Sequence, residues 1–110
     1  MVKKKVFAVF WSKQAKQNLK EVYDYIFPDS PKNAFRVVSG IIKLSESLSV
    51  SPFRFEACAE LPTKNNIYRK ATFLPYKIIY RVKNKRVEVL SVFHSSQNPK
   101  KLLAVRRIKL

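Results

Sequence analysis

A single glycine, Gly40, stands in the 110 residues of this chain. That scarcity excludes the phosphate-cradling loops of the dinucleotide and Walker types, which need several glycines for close backbone approach. A single cysteine, Cys58, leaves no intrachain disulfide framework and no thiolate-rich zinc site, and it points to a cytoplasmic protein. One histidine, His94, removes the usual nitrogen-ligand metal sites. No nucleotide cofactor and no structural metal are therefore expected. Long apolar runs are missing too: nothing approaches the roughly 20 apolar residues that span a bilayer, so no membrane partner is expected. The opening Met1-Val2-Lys3-Lys4-Lys5 followed by Val6 to Trp11 imitates a secretion signal. The apolar run is too short for one and a lysine-rich helix follows at once, so it reads as a first strand. Acidic residues are scarce, 7 Asp and Glu against 23 Lys and Arg, which leaves a formal charge of +16 and a pI near 10.3.

What is present is enough apolar material for a core. At 46% apolar residues the chain is expected to fold as one domain over residues 1–110 and is too hydrophobic for charge-driven disorder. So large a positive charge repels the compact state from itself, a cost that an acidic partner relieves. Nucleic acid, an acidic protein and an anionic membrane surface all match that charge. The basic residues concentrate in the second half, where Glu88 is the only acid in residues 64–110.

The pattern of apolar residues predicts the elements. Val6 to Phe10 alternates as a strand. Ser12 is placed to cap a helix over 13–27, with Ala15, Leu19, Val22, Tyr23 and Ile26 on one face. Pro28-Asp29-Ser30 breaks the chain. Ser30 caps a second helix over 31–48, with Pro31 at its first position and Ala34, Val38, Ile41, Ser45 and Leu48 on its buried stripe. So short a break implies an antiparallel helical hairpin. An irregular stretch from Ser51-Pro52 to Asn66 precedes three strands over 67–73, 76–82 and 86–93, with turns at Pro75 and Asn84-Lys85. The expected fold class is α+β in the order β-α-α-β-β-β, with the helical hairpin on one face of a small, mainly antiparallel sheet. The other sheet face is expected to be free, with Lys77, Ile79 and Arg81 of the middle strand turned toward a ligand.

Several segments together carry a resemblance. The opening Trp11-Ser12-Lys13-Gln14-Ala15, then Leu19, Ile26 and the Pro31 to Ala34 helix start, lead to Tyr68-Arg69-Lys70, Tyr76-Lys77-Ile78-Ile79-Tyr80-Arg81-Val82 and Val92-Phe93-His94 with Asn98-Pro99. In this order they resemble the RelE/ParE superfamily, the toxins of bacterial type II toxin–antitoxin (plasmid stabilization) systems. The resemblance implies one of two activities: metal-free, ribosome-dependent mRNA cleavage, or inhibition of DNA gyrase with no catalysis. It also implies a cognate acidic antitoxin, with a homodimer or a toxin–antitoxin heterotetramer as the assemblies to expect.

Cleaving RNA without a metal requires stabilised phosphate charge and a proton shuttle. Lys70, Lys77 and Arg81 are the candidates for the charge and His94 for the proton. Arg69, Lys83, Arg86, Lys100, Arg106 and Arg107 are the candidate nucleic-acid contacts. Each has a structural reading beside it: Arg69 and Arg81 as partners of Glu88 or a loop acid, His94 as a strand-terminal residue bonded to nearby backbone, Lys77 as a solubilising lysine. Two departures leave the branch open. No tyrosine follows Tyr80, although several ribosome-dependent relatives use one near the C-terminus, and Gln97 replaces a charged residue common in the gyrase-inhibiting branch. The readings are thus an mRNA endonuclease first, a gyrase inhibitor second and a non-toxic basic RNA-binding protein third.

Overall fold

The computed structural model describes residues 7–110; Val6 of the expected first strand and the lysine-rich residues before it lie outside the described residues. The elements are β1 (Ala8–Trp11), α1 (Lys13–Ile26), α2 (Pro31–Ser47), β2 (Tyr68–Phe73), β3 (Tyr76–Lys83), β4 (Arg86–His94) and a 3₁₀ helix, η1 (Pro99–Arg107). The strands form one sheet in the order β1-β4-β3-β2. β2, β3 and β4 are an antiparallel meander, while β1 pairs parallel to β4. The α+β class and the β-α-α-β-β-β order are as expected, with η1 added at the end.

Local chemistry sets the helix ends. Ser12 Oγ accepts from Ala15 N at 2.9 Å, which caps α1. The same hydroxyl donates to the Leu90 carbonyl at 2.9 Å, so the cap also ties α1 to β4. Ser12 and Ala15 are fully buried, which explains the Ser-x-x-Ala spacing: the small residue lets the first turn of α1 lie against the sheet. Ser30 caps α2 through Asn33 N, with Pro31 opening the helix where a missing N–H does no harm. Asn84 and Lys85 both have positive φ, 53° and 57°, as a two-residue type I′ hairpin requires.

The helix-side core joins Ala15 and Val22 of α1, Val37 and Ile41 of α2, and Ala71, Tyr76, Ile78, Tyr80, Val82, Val87, Val89 and Val92 of the sheet. Val37 takes the buried place expected for Val38, which is only partly covered. Gly40 lies where α2 crosses β2, and a Cβ there would run into the Phe73 ring.

The expectation of a free second sheet face is overturned. That face carries Tyr68, Ile79 and Leu90, which form a second core with Cys58, Leu61, Leu102 and Val105. The irregular stretch 52–66 and η1 supply the cover. Leaving Ile79 and Leu90 in water would cost about 1.5–3 kcal/mol each, enough to favour folding these segments over them. Residues 56–58 also run along the outer edge of β2: Cys58 N donates to Tyr68 O at 2.8 Å and Lys70 N to Glu56 O at 3.1 Å. This closes an otherwise open sheet edge.

Candidate functional site

Lys77, Arg81 and Lys83 lie on the second face of β3, and Tyr68 and Lys70 on the same face of β2. The cover brings acids to these cations. Lys70 Nζ is 3.7 Å from Glu60 and 4.0 Å from Glu56, and its side chain is only 14% exposed. The Glu60 carboxyl is held below its usual range, first by its own backbone N–H and then by Cys58, Lys70 and Lys77. Cys58 Sγ donates to Glu60 at 3.4 Å; burial first, and that bond second, push the thiol up, so it is a poor nucleophile.

Arg81 Nε donates to Glu88 Oε1 at 2.6 Å, and Arg86 Nη2 lies 2.9 Å from Glu88 Oε2. Burial works against the Arg81 charge, but its hydrogen bonds to Tyr68 and Glu88 overcome that and hold the guanidinium more basic than usual. Arg86 also lies over the Phe10 ring, 4.6 Å from its centroid. Arg69 is on the opposite, helix-covered face. It donates to the carbonyls of Phe55 (2.7 Å) and Phe53 (3.3 Å) and stacks on the Phe53 ring, clamping the start of the covering stretch. Of the two arginines with a structural reading, Arg81 takes the expected acid and Arg69 takes carbonyls instead.

His94 is not with the lysines. A β-bulge in β4 pairs Ile79 with Ser91 but Tyr80 with Val89, so Leu90 is an extra residue. One extra residue reverses the alternation beyond it. Phe93, opposite Lys77, therefore packs into the second core, whereas His94, opposite Tyr76, turns to the helix side. There it meets Tyr76 edge-on, with ring centroids 5.3 Å apart. Ser96 N donates to His94 Nδ1 at 3.0 Å, the backbone bond of its structural reading. His94 borders a cleft of about 760 Å³ between α1 and η1, shared with Asn18, Glu21, Tyr25, Gln97 and Lys101. Asn18 Oδ1 closes the edge of β4 here by accepting from Val92 N and Ser91 Oγ, both at 3.1 Å.

The remaining candidate contacts are dispersed. Lys100 is exposed at the start of η1 and Arg107 at its end. Arg106 is exposed but donates to Pro62 O at 3.0 Å, tying η1 to the covering stretch. Lys83 stands beside the hairpin tip, next to Lys85, a residue that the sequence reading treated only as a turn position. A second groove, of about 450 Å³, runs along the helical hairpin between Trp11, Leu19, Tyr23, Val38 and Ile42, with Lys16 and Lys20 on its rim. No described helix is long and apolar enough to cross a membrane.

The fold matches those of chains from solved toxin–antitoxin structures. A chain of the chromosomal ParDE toxin–antitoxin system from P. aeruginosa is similar with a TM-score of 0.67 at 20% identity, over 83% of this chain and 98% of that one. A chain of the RelBE2 toxin–antitoxin complex from Mycobacterium tuberculosis is similar with a TM-score of 0.57 at 20% identity, over 80% and 96%. A comparison with curated protein sequences gives no match. The fold is thus of the RelE/ParE class. Within it, residues 9–99 match the family described as the ParE toxin of the parDE type II toxin–antitoxin system. The chain belongs to that family of toxins.

Proposed function

We propose that this toxin arrests growth by binding DNA gyrase in the cytoplasm, and that it carries no RNA-cleaving site. The observation behind this reading is the division of the candidate cleavage residues. Lys70 and Arg81 are paired with internal carboxylates on one sheet face, and His94 is turned to the other. A proton shuttle has to reach the same phosphate that the cations hold. The mRNA-cleavage reading needs the bulge of β4 undone or the acids withdrawn, and the gyrase reading needs neither.

The antitoxin is an acidic, amphipathic segment. Its apolar side fits the groove between Trp11, Leu19, Tyr23, Val38 and Ile42, and its carboxylates face Lys16 and Lys20.

Induction of the chain in growing cells, with and without Lys77→Ala plus His94→Ala, tests the reading. Both forms should arrest growth, accumulate cleaved gyrase–DNA complex and leave ribosome-bound mRNA intact. Transcripts cut by the parent chain but not by the double variant, with gyrase supercoiling unaffected, would overturn it.

A further inference from the structure

At the β3–β4 hairpin end of the second sheet face, cations collect beyond the reach of the single local acid. Arg81 pairs across the strands with Glu88, and Lys83 with Arg86. Phe10, paired with Glu88 on β1, lies beside them under the Arg86 guanidinium. The chain end joins the group, because Arg81 Nη2 donates to the Ile108 carbonyl at 3.5 Å and Lys109 follows directly. Glu88 uses both carboxylate oxygens on Arg81 and Arg86. Lys83, Lys85 and Lys109 have no carboxylate within ion-pair distance among the described residues, and all three are exposed.

A second observation is independent of the charge count. Lys85 occupies a left-handed backbone position, φ 57°, in a turn where glycine is the residue favoured on backbone grounds. Folding alone gives no reason for a lysine there. The strained position holds an ammonium at the tip of a two-stranded ribbon, beside Lys83.

From these features we infer that the hairpin end, through Lys83, Lys85, Arg86 and Lys109, grips the phosphate backbone of duplex DNA. Single strands are held by exposed rings on which bases stack. The aromatic ring of this patch, Phe10, has the Arg86 guanidinium over it, so the patch offers charge and no stacking platform. Contacts of this kind position a protein on a duplex without reading its sequence. The inference deepens the gyrase reading, on which it rests for the choice of DNA: the toxin holds the DNA segment that gyrase is cleaving, as well as the enzyme.

The test measures binding of the full-length toxin to a fluorescent DNA duplex, and to single-stranded RNA of equal length, across a salt series. Duplex affinity should fall with salt at a log–log slope of about −3, as for three phosphates neutralised by the unpaired Lys83, Lys85 and Lys109 while Arg86 keeps its bond to Glu88, and exceed the RNA affinity. Lys83→Glu with Lys85→Glu should weaken duplex binding by at least about tenfold and shallow the slope by about one per lysine. Lys32→Glu with Lys43→Glu, an equal charge change on α2, should leave it nearly unchanged. Lys85→Gly separates binding from folding, since it should raise the melting temperature while weakening DNA binding. Equal loss in both charge-reversal variants, or RNA bound as tightly as duplex, would overturn the inference. Gyrase inhibition is assayed separately: duplex binding by a toxin that leaves purified gyrase unaffected refutes the gyrase target and leaves the DNA-binding patch standing.

Discussion

Arg81 and Glu88 face each other across β3 and β4, with Nε and Oε1 2.6 Å apart and side chains only 14% and 9% exposed. A pair buried this deeply behaves differently from a surface ion pair. Removing one partner strands the other in a poorly solvated place, at a cost of about 3–5 kcal/mol. Glu88→Gln should therefore destabilise the fold by about 3 kcal/mol in urea unfolding, with an unchanged m-value. Arg81→Met together with Glu88→Leu should recover much of that loss. Reduced toxicity in an Arg81 variant is then to be read against its stability before any role at a target is assigned.

Ser12 should be about as sensitive. Its hydroxyl caps α1 and satisfies the buried Leu90 carbonyl. Ser12→Ala removes a cap worth about 1 kcal/mol and leaves an unsatisfied carbonyl worth about as much again or more, so a loss of about 2–3 kcal/mol is expected. Chemical denaturation measures it directly; a loss under about 1 kcal/mol would mean that water reaches Leu90.

Gly40→Ala should run against helix propensity. An exposed helix gains about 1 kcal/mol from that change. Here the added methyl meets the Phe73 ring, and overpacking of about 1–3 kcal/mol outweighs the gain. In a Phe73→Leu background the same change should become neutral or stabilising, and a double-mutant cycle in thermal unfolding reads the coupling.

Alkaline stability should depend on Tyr80. Its hydroxyl is buried and donates to Pro52 O at 2.7 Å, and burial pushes its pKa up to about 12. An unfolded tyrosine ionises near pH 10. The folded state thus keeps its proton where the unfolded state loses it. Stability from this group is complete below about pH 10 and declines as pH rises toward 12, by an amount on the order of 2–3 kcal/mol. Tyr80→Phe should cost about 1 kcal/mol at neutral pH and make the decline between pH 10 and 12 shallower than in the parent chain. Parallel slopes for the two proteins would refute this.

Much of this fold was legible because its signals are local. Ser12, Ser30 and Pro31 announce their helices, and Pro75 and Asn84-Lys85 their turns. The alternation in β3 assigns Tyr76, Ile78, Tyr80 and Val82 to the helix side correctly. The cover of the second face was not legible because its short apolar runs do not announce a buried side: in Leu102-Leu103-Ala104-Val105 the first and last residues are buried while Leu103 is exposed. The three-residue interval from Leu102 to Val105 fits a 3₁₀ turn, which has no strong periodic signature. The candidate site was harder to place for a geometric reason. Its residues could be named from strand pattern, but the side of His94 depends on the bulge at Leu90, which exists only relative to β3. The carboxylates on Lys70 come from an irregular stretch with no period at all.

The parallel seat of β1 against β4 has a consequence for how the toxin is made. Its partner residues, Arg86 to Val89, lie near the opposite end of the polypeptide from Ala8 to Trp11. A nascent chain on the ribosome can form the α1–α2 hairpin early, but its first strand has no neighbour until β4 has left the exit tunnel. The Ser12–Leu90 latch closes only then. A product that stops before Arg86 lacks β4, and with it the central strand that joins β1 to the β2–β3 hairpin.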